Sequence, residues 1–120
     1  MEKENAIGRP DPKTLLEETR QALRVEYLRA LPGKIESIAA LVDKLGAEPE
    51  NREEFDRFQS EVHSLAGTSA LYGFAGLSAA ARVLDLDLLE RSRSGRPSPP
   101  PEAELRRTLL ALRRALAALG

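Results

Sequence analysis

The sequence predicts an all-α protein, an antiparallel four-helix bundle with an additional or kinked helix at its N-terminus. Three observations predict it. Ala, Leu, Glu and Arg are abundant while Val and Ile are sparse and aromatics make up only 4%, a balance that favours helices over strands. Apolar residues recur at helical spacing over most of the chain from Asp11 onward, which is the signature of amphipathic helices. The connections between these stretches are short and rich in Pro, Gly or Ser, and short connections make consecutive helices antiparallel neighbours.

Residues 1 to 10 carry no apolar periodicity and read as a loose tail, leaving 11 to 120 for the bundle. Asp11-Pro12 is a helix start, with Asp11 as N-cap and proline at the first helical position. Leu15, Leu16, Thr19, Leu23, Tyr27 and Leu31 follow at helical spacing, and Pro32-Gly33 marks a kink or a break. From Lys34 to Leu45 a second stripe of Ile35, Ile38, Leu41, Val42 and Leu45 ends at Gly46, a natural C-cap. The spacing leaves open whether these are two helices or one bent rod. Another helix starts near Pro49 to Arg52, with Glu50, Glu53 and Glu54 at its positive end, and runs to about Leu71 before Gly73 stops it. The next, about Ala75 to Ser92, presents Leu77, Ala80, Ala81, Leu84 and Leu88 on one face, and its alanines suit close packing. Residues 91 to 101 are a Pro- and Ser-rich loop. The last helix, about Glu102 to Leu119, carries a seam of Leu105, Leu109, Leu112, Leu116 and Leu119.

Length and composition narrow the function. A chain of 120 residues is one domain, large enough to bury a modest core without disulfides. With no cysteine and one histidine it holds neither a zinc–thiolate site nor the ligands of a usual transition-metal site, whereas carboxylate-only magnesium binding stays open. Eighteen Lys plus Arg against nineteen Asp plus Glu give a net charge of -1, so no basic field draws nucleic acid or anionic lipid. The arginines of the last helix and of Arg91-Ser92-Arg93 lack an aromatic platform and read as solvated faces. Apolar runs are too short to span a bilayer, and Met1 to Asn5 lacks a signal-peptide core. A cytoplasmic location is the expectation. No Gly-rich phosphate loop or kinase signature is present, so ATP has no recognised mode of binding.

The remaining chemistry centres on His63. Phe55, Phe58, Val62, Leu65 and Ser69 form a buried stripe, and His63, one residue after Val62, points about 100° away from it, towards solvent. Gly67 follows one turn later, where glycine costs roughly 1 kcal/mol relative to alanine. Something bulky must therefore approach, either a phosphoryl group or the surface of a docking protein. Ser64, Thr68 and Ser69 have no second histidine to serve as a base and read as hydrogen-bonding groups rather than nucleophiles.

His63, Leu65, Gly67, Ser69, Gly73 and Leu77 together resemble the histidine phosphotransfer (HPt) domain family. Its pattern runs H-x-L-K-G, then a small residue, then a second glycine and a leucine. The resemblance implies a phosphoryl carrier without kinase or ATPase activity of its own, needing no cofactor. His63 would take the group from a histidine kinase or a receiver domain and pass it to a response-regulator aspartate. It also implies that Asp85, where kinases of the chemotaxis type carry an acidic residue, holds the imidazole proton. The family's lysine is replaced by Ala66, and Arg82, three positions before Asp85 and on roughly the same face, is the candidate to supply the missing charge. Ser60, Ala66, Gly67, Leu71 and Tyr72 are the candidate docking residues. Taken singly, His63 is a surface histidine, Asp85 a solvated residue and Arg82 a surface arginine paired with Asp85 or Asp87. The alternative function is a non-phosphorylated helical adaptor, for which Ala66 is the best indication.

Overall fold

The computed structural model describes residues 11–95 and 97–119, over which the chain forms four α-helices and no strand. They are α1 (Pro12–Ala47), α2 (Arg52–Leu71), α3 (Ala75–Ser92) and α4 (Glu102–Leu119). The tail reading for residues 1 to 10, and Arg96 of the predicted loop, lie outside the described residues.

Pro32-Gly33 does not break α1, which is one continuous helix of 36 residues. An interior proline removes a ladder hydrogen bond at a cost of about 3 kcal/mol. Leu31, Ile35 and Ile38 bracket it and are each at most 2% exposed. Burying such side chains is worth about 1.5–3 kcal/mol apiece, enough to carry the helix through.

Contacts divide the chain into two units, residues 1–30 and 31–120. In the first, residues 12–30 are helical as the spacing predicts, and the Asp11 carbonyl accepts the Leu15 N–H at 2.9 Å. Leu15, Leu16, Leu23 and Val25 are exposed there. An apolar stripe marks a surface that prefers burial without supplying what buries it.

The second unit is the bundle. Ile35, Ile38, Leu41, Val42 and Leu45 of α1 join Phe55, Phe58, Val62 and Leu65 of α2 in the core. Leu77, Ala81, Leu84 and Leu88 of α3 and Leu105, Leu109 and Leu112 of α4 complete it. Polar rungs at the rim show the helix directions. Ser37 donates to both carboxylate oxygens of Glu61 at 2.9 and 3.1 Å, while Lys44 lies 3.9 Å from Glu54, so α1 and α2 run antiparallel. Glu36–Arg113 at 3.1 Å and Asp43–Arg106 at 2.7 Å set α1 antiparallel to α4. Hydrogen bonds that the Arg106 guanidinium donates to Asp43 and then Glu102 raise its pKa above the ordinary value.

Two caps place the site helices. Asn51 caps α2 by accepting the Glu54 N–H at 3.1 Å, a cap the sequence reading missed in favour of the neighbouring glutamates. At the other end Gly73 adopts φ +80°, a left-handed conformation that suits glycine. Its N–H donates to Ala70 and that of Phe74 to Ser69, at 3.1 and 2.8 Å, closing a Schellman turn. Phe74, 2% exposed, is thereby returned to the core, and α3 begins beside α2.

Candidate functional site

His63 sits mid-way along α2 on the flank of the buried stripe, its side chain 77% exposed. Asp85 faces it from α3, with carboxylate oxygens 3.0 and 3.2 Å from Nδ1. That carboxylate is only 16% exposed. An ionised carboxylate can only accept a hydrogen bond, so Nδ1 is the donor and the neutral ring keeps its lone pair on Nε2. The shorter aspartate reaches because the helices are close: small residues at Ala66, Ser78 and Ala81 are all buried between them.

The imidazole and Asp85 line a hollow of about 280 Å³ together with Asp56, Gln59, Ser60 and Leu89. Gln59 and Leu89 were not singled out from sequence, although each is four positions from a site residue, Gln59 before His63 and Leu89 after Asp85, and so shares its helix face. Leu86 and Val83, 57% and 72% exposed, extend an apolar surface along α3.

Gly67 is exposed, and a methyl group added there would meet nothing within 4 Å. Packing within the chain therefore does not require the glycine. Gly67→Ala should raise the unfolding free energy by about 0.5–1 kcal/mol, read from urea melts, because only the helix-propensity term changes.

Ala66 corrects the sequence reading. It is 3% exposed, and its carbonyl accepts the Ser78 hydroxyl at 2.8 Å, so it lies inside the α2–α3 interface rather than on a docking face. The reason is angular: four positions after Val62 it returns to within about 40° of the buried stripe. Leu71 is 62% exposed and Tyr72 half-buried, both at the C-terminal end of α2 and away from the hollow. Arg82 is exposed, and its guanidinium makes no hydrogen bond or ion pair among the described residues. Asp87 pairs instead with Arg91 at 3.1 Å. No group of three or more potential metal ligands occurs among the described residues.

An exposed histidine on the second bundle helix, with an acidic partner 22 positions later and glycines four and ten positions on, is the arrangement that the resemblance implies. A model of the Hpt domain matches residues 13–119. The chain belongs to the Hpt domain family. No curated protein and no solved structure gives a significant match. Hpt domains serve histidine phosphotransfer in two-component phosphorelays and interact with histidine kinases and response regulators. Among the described residues, no helix of this Hpt domain is long and apolar enough to cross a membrane.

Proposed function

We propose that this Hpt domain carries a phosphoryl group on Nε2 of His63, between a histidine kinase or a phosphorylated receiver domain and a response-regulator aspartate. The observation that carries this reading is the Asp85 carboxylate on Nδ1 of an exposed imidazole. In the accepting step the Nε2 lone pair attacks phosphorus, and the donor's bond to phosphorus breaks. The electron pair stays on the donor, a carboxylate when the donor is a receiver aspartate. The ring becomes cationic, its Nδ1 proton stays with it, and Asp85 offsets that charge. Transfer onward is the reverse, with no net proton change.

Arg82, one turn before Asp85 on α3, would supply the cation for the phosphoryl oxygens in place of the family's lysine. Magnesium, where the reaction needs it, belongs to the receiver's acidic pocket. The docking face combines Ser60 and Gly67 of α2 with Leu86 and Leu89 of α3, and Leu71 and Tyr72 widen it. The domain has no kinase or ATPase activity in this reading, and it works in the cytoplasm, where receivers are phosphorylated.

Incubation with a radiolabelled phospho-receiver tests the reading. An acid-labile, alkali-stable label on the domain is the expected result. Tight binding of the receiver with no label would make the domain an adaptor instead. Asp85→Asn should slow label transfer about tenfold, since a charge-assisted hydrogen bond exceeds a neutral one by about 1–1.5 kcal/mol. Receiver affinity, measured calorimetrically, should hold.

A further inference from the structure

The contact between His63 and Asp85 is bracketed by two further interhelical hydrogen bonds. On one side Gln59, four positions before His63, donates to the Ser92 hydroxyl at 3.1 Å. On the other Ser78 donates to the Ala66 carbonyl, three positions after His63, at 2.8 Å. On α3 the three partners are Ser78, Asp85 and Ser92, each seven positions from the next, so two helical turns separate them and they share one face. Gln59 lines the hollow, where a docked partner would touch it. Ser78 does not; it is 6% exposed and meets α2 inside the interface.

We propose that Ser78 is a positioning residue for phosphotransfer: its bond to the Ala66 carbonyl sets the α2–α3 separation at which the short Asp85 side chain reaches Nδ1 of His63. The inference rests on the orienting role given to Asp85 above. The Ala66 carbonyl already belongs to the α2 hydrogen-bond ladder, so the hydroxyl adds a second bond to it rather than rescuing an unpaired group. Its effect is on distance. A hydroxyl approaches a carbonyl oxygen to about 2.8 Å, whereas a carbon must stay about 3.3 Å or more away. An aspartate bonded at 3.0 Å has little slack for such a change. A glutamate, one methylene longer, would have it.

A double-mutant cycle on the whole chain tests this, with Ser78→Val, Asp85→Glu and their combination. Two readouts are taken: the tautomer of His63 by ¹⁵N NMR without any partner, and the rate of label transfer from a phosphorylated receiver. Ser78→Val should shift the tautomer away from Nδ1–H and slow transfer about tenfold. In the Asp85→Glu background the same substitution should cost at least about fivefold less, and the Nδ1–H form should return. Equal losses in both backgrounds, or no tautomer shift in Ser78→Val, would overturn the proposal. Ser78→Cys, nearly isosteric but with a sulfur that must also stay farther from the carbonyl than a hydroxyl oxygen, takes the place of Ser78→Val should that variant lose its helical circular dichroism. Asp85→Ala, which leaves Nδ1–H no acceptor, separates the two layers. If it leaves the tautomer unchanged, the orienting role of Asp85 fails and the role of Ser78 fails with it. A shift there, but none in Ser78→Val, removes Ser78 alone.

Discussion

Replacing His63 by glutamine brings phosphoryl acceptance down to background while the bundle stays as stable as before. The side chain is 77% exposed, and the hydrogen bonds it makes go to Asp85, so its removal opens no cavity. Substitutions at such positions usually stay within about ±0.5 kcal/mol. Glutamine also keeps good helix propensity and polar atoms to meet the Asp85 carboxylate. What it lacks is a nitrogen lone pair that can attack phosphorus. Label transfer and a thermal melt on the same preparation check both halves. A His63→Gln variant that still takes label would place the acceptor elsewhere, and one that melts early would make the imidazole a structural group.

Phe58→Ala should destabilise the bundle by about 3–5 kcal/mol, the range for truncating a buried aromatic when the cavity collapses only partly. Phe58 is 0% exposed and lies on α2 one turn before Val62, at the centre of the stripe that sets where His63 points. Against a total stability of about 5–15 kcal/mol, this removes a large share of what holds the fold. For a domain of this size the melting temperature should fall by about 10–30 °C. Leu16→Ala is the internal contrast. Leu16 is 70% exposed, so its loss should leave the cooperative transition of the bundle nearly where it was. Equal shifts in the two variants would contradict the division of the chain at residues 30 and 31.

The stripes were legible because a helix that buries one face must repeat its apolar residues at helical spacing, and nothing else in the chain competes with that pattern. Phe55, Phe58, Val62, Leu65 and Ser69 are all buried as their spacing predicts, and so are Leu77, Ala81, Leu84 and Leu88, while Ala80 of the same predicted face is only half-buried. The exposed flank for His63 follows from the same geometry. What the sequence could not settle depends on neighbours. Pro32 looks alike in a broken helix and in one held together by the burial of Leu31 and Ile35. Leu16 and Leu23 look like core until one asks what covers them. Ala66 was assigned by its offset from His63, although its offset from Val62 decides that it is buried. Ser78 carries no sequence signal, because a serine among alanines acquires meaning only when α2 lies opposite. Asp85 was reached through the family pattern, and the distance to Nδ1 that makes it useful is a property of the packed helices.

The direct test of the phosphoryl carrier is to locate the label atom by atom. Wild-type domain phosphorylated by a phospho-receiver should show, in ³¹P–¹H correlation NMR at alkaline pH, a single phosphohistidine with phosphorus on Nε2 of His63. Phosphorus on Nδ1, the atom facing Asp85, or on any serine, threonine or carboxylate, would contradict the account.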